Sequence, residues 1–166
     1  SQLAQEFFPS ISSDEFLALA NVDKRSLVFS ASQSGETFDT LSALKYAKSK
    51  GARTAAIVNV MGSSIARLVD KVVLQGSGPE ICVISTKAAL SQMVILTLLA
   101  MKLALKKKVI TRKTYASHLQ SLRELPEIIE GILNERSGFI HRLASKYSGT
   151  RNWLYLGRGI YYPIAL

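Results

Sequence analysis

The chain has 166 residues, of which 48% are hydrophobic and 20% charged, and it carries a formal net charge of +9 with a pI near 9.8. That length suits one domain with a sizeable core, and the composition excludes a disordered chain. The positive excess favours anionic ligands but is scattered. Its densest run, Lys106-Lys107-Lys108, follows a long helical pattern and suits a helix C-terminus or a solvated face. No aromatic-interleaved basic stripe accompanies it, so nucleic acid is not expected as a partner. The lone cysteine, Cys82, cannot form an internal disulfide, and its neighbours Ile81, Val83 and Ile84 predict burial. A reducing, cytoplasmic setting is the default.

Ser1 to Phe8 has no strong period and reads as a chain entering partway through a domain; Ser1 to Ser10 lacks the basic and apolar regions of a leader peptide. Ser12-Ser13-Asp14-Glu15 predicts the capped start of a short helix through Phe16, Leu17, Leu19 and Ala20. A strand is predicted over Ser26 to Ser30, then a helix through Phe38, Leu41, Leu44 and Ala47 that stops at Gly51. The unalternated run Thr54 to Val60 suits a parallel strand covered on both faces. Met61-Gly62-Ser63-Ser64 opens a short helix through Ile65, Ala66, Leu68 and Val69, with capping the favoured role for its serines, and Lys71 to Leu74 is a further strand. This alternation implies right-handed crossovers, with ligands at the carboxyl ends of the strands.

Gly76-Ser77-Gly78-Pro79 is a turn, and Ser85-Thr86 stand before a long helix starting near Lys87. Ala88 to Leu105 is the most apolar stretch, interrupted by Ser91, Gln92 and Lys102. It reads as a helix buried on several sides, against the sheet and a partner, and not as a membrane span. A helical region from Thr111 to about Asn134 is expected to kink or break at Pro126, with another helix from Arg136 to Lys146 ending at Ser148-Gly149. His118 and His141 lack carboxylates or cysteines at ligand spacing, so no metal is expected. Asn152 to Leu156 reads as a strand leading into Gly157-Arg158-Gly159.

The most informative stretch is Ser30-Ala31-Ser32-Gln33-Ser34-Gly35-Glu36-Thr37, between a strand and a helix. The first N–H groups of a helix lack partners within it, and the peptide dipoles leave positive charge there, so an anion can be held without lysine. Hydroxyls before a helix also serve as N-caps, and composition alone favours that role. The whole string Ser-Gln-Ser-Gly-Glu-Thr, followed by Asp39-Thr40-Leu41, resembles the sugar-phosphate loop of sugar isomerase (SIS) domains, most of all the isomerase halves of glutamine-fructose-6-phosphate aminotransferases. It is neither a P-loop nor a nucleophile elbow.

The resemblance implies that Ser32, Gln33, Ser34 and Thr37 hold a substrate phosphate. Glu80-Ile81-Cys82-Val83-Ile84-Ser85-Thr86-Lys87 resembles the segment that touches the sugar, implying Val83 and Ser85, although Cys82 and Ile84 replace a smaller glycine and alanine. Leu156-Gly157-Arg158-Gly159 through Tyr162-Pro163-Ile164-Ala165-Leu166 resembles the opening of a second SIS subdomain. The implied fold is α/β, a three-layer, doubly wound, mostly parallel sheet of flavodoxin-like type, incomplete at its N-terminal edge. Residues 1–148 form a first subdomain and 149–166 the start of a second.

Expected partners are fructose 6-phosphate or glucosamine 6-phosphate and a second copy in a homodimer, with no cofactor. The family's glutamate base, lysine and ring-opening histidine would follow Leu166, and its Gly-Thr-Ser turn would precede Ser1. No catalytic residue is therefore assigned within the chain; Glu36 and Glu80 read as helix support. The implied function is the sugar-phosphate-binding part of an enzyme making glucosamine 6-phosphate. A transcriptional sugar-phosphate sensor, a deaminase or isomerase without a glutaminase domain, and a nucleic-acid-binding domain are the competing readings.

Overall fold

A computed structural model describes residues 4–5, 7–81 and 85–158. The chain divides into two compact units, Ser1–His118 and Leu119–Leu166.

In the first unit, three strands form a parallel sheet in the order β1 (Leu27–Ser32), β2 (Arg53–Val58), β3 (Lys71–Leu74). The register pairs Leu27 with Arg53 and Ser32 with Val58, and Val58 in turn with Leu74. The carboxyl ends of all three strands therefore lie in one row, and the loops that leave them share one edge. Between the strands run α2 (Phe38–Ser49) and α3 (Ser64–Leu68), preceded by the single turn α1 (Phe16–Leu19). Strand order equal to chain order places successive right-handed crossovers on one face, and α2 and α3 do pack against each other.

The core follows from this arrangement. Leu44 of α2, Ala56 and Val58 of β2 and Ile65 of α3 are fully buried, with Val28, Leu41 and Leu68 packed around them. β2 is buried from Thr54 to Val58 on both faces, as its unalternated run predicts. β1 is an edge strand among the described residues, and its Leu27 and Phe29 stand exposed on the face away from α2.

A polar tie joins the amino ends of β2 and β3 to α2. Asp70 accepts hydrogen bonds from Lys48 Nζ (2.9 Å), Thr54 N (2.7 Å) and Thr54 Oγ1 (3.0 Å). These donors, Lys48 first, hold the Asp70 carboxyl at about 2, below its ordinary 3.8. A carboxylate whose folded value is depressed contributes stability above its unfolded value and loses it as pH falls through the folded one. The thermal midpoint should thus fall between about pH 4 and pH 2, and Asp70→Asn should flatten that part of the curve while lowering the midpoint at pH 7. An unchanged acid slope in the variant would remove Asp70 from this role.

α4 spans Thr86–Lys106 and is long and apolar enough to cross a membrane by length and composition, with a mean hydropathy of 1.9. Its surroundings differ from the sequence expectation. Only Ala88, Met101 and Ala104 are buried, whereas Leu90, Met93, Leu96 and Leu99 are exposed, because no other helix or strand among the described residues packs extensively along this helix. Its end is a Schellman cap: Val109 N donates to Ala104 O (2.9 Å) and Lys108 N to Leu105 O (3.1 Å), with Lys108 at φ +60°. A lysine holds the left-handed position that glycine adopts freely. Lys108→Gly should therefore stabilise the chain by about 0.5–1 kcal/mol, raising the melting midpoint by roughly 1–3 °C.

Two further expectations are corrected. α5 runs unbroken over Arg112–Tyr147 with Pro126 inside it, in place of two helices. Proline removes one hydrogen bond, but Leu119, Leu122, Leu125, Ile129, Ile132, Ile140 and Leu143 keep one helical phase across it, so the pattern continues through the defect. Asn152 to Leu156 is not a strand. No strand pairs with it among the described residues, and an unpaired strand leaves its backbone groups without partners. Instead Trp153 stacks on Tyr155 and meets Tyr147 edge-on. Cys82 and Tyr161 to Leu166 lie outside the described residues.

Candidate functional site

The loop from β1 to α2 is tied at every residue. Ser32 Oγ accepts from Gly35 N (3.1 Å) and lies 3.2 Å from Thr37 Oγ1, while Ser34 Oγ accepts from Glu36 N (3.2 Å). Gln33 O accepts from Asn59 N (3.1 Å) and Gly35 O from Ile65 N (2.9 Å), which fastens the loop to the end of β2 and the start of α3. Gly35 stands at φ +69°, and a Cβ there would lie 2.6 Å from Ser63 Cβ. Two independent constraints, backbone hand and close approach, thus require glycine.

Thr37 occupies the N-cap position of α2, yet its side chain makes no cap there. The hydroxyls here shape the loop and leave the helix's own donors open. Ser63 does cap, accepting from Ala66 N (3.4 Å) at the start of α3. α1 differs from expectation, because no side chain caps it and Ser13 instead accepts from Thr40 Oγ1 (3.3 Å).

Ala31, Ser32, Gln33, Ser34, Thr37 and Thr40 line a pocket of about 350 Å³ together with Ser85, Ala89 and Gln92 of α4. The structure therefore brings together five of the six residues expected at the site: Ser32, Gln33, Ser34 and Thr37 on the loop, and Ser85 on the helix. The sixth, Val83, lies outside the described residues. Ser85 is the N-cap residue of α4 in a left-handed conformation, φ +56° and ψ +44°, and its side chain makes no cap. Its capping work falls to Glu80, whose Oε2 accepts from Ala88 N (3.2 Å), so the Ser85 hydroxyl is left to the pocket.

Thr40, Ala89 and Gln92 were not singled out by the sequence reading. A signal existed for two of them, since Ser85, Ala89 and Gln92 follow the i, i+4, i+7 spacing of one helical face.

The electrostatics come from the backbone and hydroxyls. Among the described residues, no lysine, arginine, aspartate or glutamate lines the pocket. Glu36 turns to the start of α3, where its Oε1 accepts from Ser64 N (2.7 Å); hydrogen bonding to Ser64 holds its carboxyl below the ordinary range, with Arg67 adding to the effect. Glu36 and Glu80 each support a helix start, Glu36 that of α3 and not of the helix it precedes. His118 and His141 are exposed on α5. The pocket as described offers neutral donors for an oxyanion and a polar wall on α4 for the rest of a small ligand.

Residues 4–102 match the SIS domain family. The chain is 41% identical over 145 residues to a glutamine-fructose-6-phosphate aminotransferase (isomerizing) of Caldanaerobacter subterraneus subsp. tengcongensis, covering 87% of this chain and 24% of that protein. It is 43% identical over 139 residues to the protein of the same name from Fusobacterium nucleatum, covering 84% and 23%. The chain thus spans about a quarter of the length of these relatives. Among solved structures it is similar to the C-terminal domain of glucosamine-fructose-6-phosphate aminotransferase from Francisella tularensis, with a TM-score of 0.83, 35% identity, and coverage of 92% of this chain and 44% of that one.

Proposed function

The chain belongs to the SIS domain family, and from that premise we propose that its pocket binds the phosphate and part of the sugar of fructose 6-phosphate or glucosamine 6-phosphate. The observation that carries this is the gathering of Ser32, Gln33, Ser34 and Thr37 at the open N-terminus of α2, in a pocket that Ser85 shares from α4. A phosphate there accepts from hydroxyls, the Gln33 amide and backbone N–H groups, and the sugar extends towards α4. The relatives named as aminotransferases support placing this chain within an enzyme that makes glucosamine 6-phosphate from fructose 6-phosphate.

That reaction requires a proton to move between two sugar carbons, and among the described residues no carboxylate or histidine lines this pocket. The chain's part is therefore to anchor the ligand, and no catalytic residue is assigned to it. We read residues 149–166 as the start of a second SIS subdomain. The apolar residues exposed on α4 support a homodimer, and the single cysteine supports a cytoplasmic setting.

Calorimetric titration of the chain with fructose 6-phosphate, glucosamine 6-phosphate, inorganic phosphate and a DNA duplex tests the reading. Saturable binding of the sugar phosphates, with DNA binding weak and lost at moderate salt, is the expected result. Tight DNA binding with a steep salt slope and no heat from either sugar phosphate would overturn it.

A further inference from the structure

β3 ends at Leu74, and the next residue is a glutamine only 8% exposed. Gln75 N continues the ladder by donating to Val58 O (2.8 Å), and its side chain reaches across to α4. Its Nε2 donates to Ala88 O (2.9 Å) and to Ser77 Oγ (2.8 Å). A main-chain carbonyl only accepts, so the amide nitrogen of Gln75 must lie on the Ala88 side. Its Oε1 then lies on the other side and can only accept, which it does from Gln92 Nε2 (3.0 Å). The orientation of the second amide follows from the first. With its nitrogen engaged by Gln75, Gln92 has its carbonyl oxygen as the remaining end, and among the described residues no hydrogen bond engages it. Gln92 lines the pocket, on the same helical face as Ser85 and Ala89.

We propose that Gln75 is a positioning residue that fixes Gln92 with its Oε1 towards the pocket, where it accepts a hydrogen bond from a hydroxyl of the bound ligand. The inference rests on the sugar-phosphate reading and adds a basis for specificity to it. The two walls of the pocket have opposite hydrogen-bonding character. The loop wall offers donors suited to an oxyanion, whereas a carbonyl on α4 repels one and rewards a hydroxyl. A ligand satisfying both is a phosphorylated polyol, and a bare phosphate satisfies only the first. A freely rotating glutamine would present nitrogen or oxygen alike; the buried Gln75 removes that choice.

Titrations with fructose 6-phosphate and with inorganic phosphate, on the chain and on Gln92→Leu, Gln92→Met and Gln75→Leu, separate the possibilities. Gln92→Leu and Gln92→Met should each weaken fructose 6-phosphate by about tenfold and leave inorganic phosphate within about twofold. Gln75→Leu should weaken fructose 6-phosphate by a smaller factor, about threefold to tenfold, again sparing phosphate. If Gln75→Leu fails to fold, the two Gln92 variants still decide whether the Gln92 carbonyl meets the ligand, since their residue is half-buried and its neighbours Ser85 and Ala89 are untouched. Gln75→Glu, which keeps the acceptor, should then bind fructose 6-phosphate within about twofold of the parent if Gln75 only orients Gln92. Unchanged fructose 6-phosphate affinity in both Gln92 variants would overturn the inference while leaving the phosphate loop standing. Equal losses for both ligands would overturn it too, as a general disturbance of the pocket. Absence of binding by either ligand in the parent chain would instead overturn the underlying reading.

Discussion

Gly35→Ala should destabilise the chain by about 3–5 kcal/mol and abolish sugar-phosphate binding, while Gly62→Ala should cost only about 1–2 kcal/mol and leave binding intact. Both glycines have positive φ, +69° and +76°, so each substitution incurs the left-handed penalty. They differ in what a Cβ would meet: nothing within 4 Å at Gly62, but the Cβ of Ser63 at 2.6 Å for Gly35. Rotating the Ser63 hydroxyl away does not relieve a clash with its Cβ. The backbone must move, and with it go the cap of α3 and the bond from Ile65 N to Gly35 O. Chemical denaturation of both variants measures the difference between them, which isolates the close approach. Equal losses would mean that the loop and α3 do not touch as described.

The double variant Ser34→Ala, Thr37→Ala is expected to lower affinity for fructose 6-phosphate by about 10²- to 10⁴-fold, because each hydroxyl donating to a phosphate dianion contributes roughly 1.5–3 kcal/mol. The fold should survive, with the melting midpoint within a few degrees of the parent by an order-of-magnitude reckoning. Thr37 caps no helix and gives up its contact with Ser32 Oγ, and Ser34 gives up one bond from Glu36 N, in a loop still held by the Gly35 N to Ser32 Oγ bond and by the carbonyls of Gln33 and Gly35. Titration calorimetry beside a thermal melt checks both halves. Affinity within tenfold of the parent would place the phosphate elsewhere.

The resemblance of Ser32 to Thr37 to an SIS loop agrees with the family match over residues 4–102. That loop was legible because its chemistry is local: a strand, a glycine turn and a helix start lie within a dozen residues, and periodicity announces each neighbour. The strands and α2 were legible for the same reason, with boundaries within two residues of those observed. Pro126 misled because a proline's local cost is fixed, whereas the worth of continuing a helix depends on the stripe on either side. Asn152 to Leu156 misled because β-propensity says nothing of whether a partner strand is present.

By itself, the sequence determined which segments are strand or helix and which loop carries hydroxyls around a glycine, since backbone preference and short-range patterning decide those. Only the tertiary structure decided which hydroxyls cap and which face the pocket, that Glu36 serves the start of α3 and not that of α2, and that Gln75, oriented by the Ala88 carbonyl, meets Gln92. Each of these turns on where a polar group finds its hydrogen-bonding partner. The partners of Glu36, Glu80 and Gln75 lie 8 to 28 residues away along the chain and come within reach only after the strands have aligned their ends.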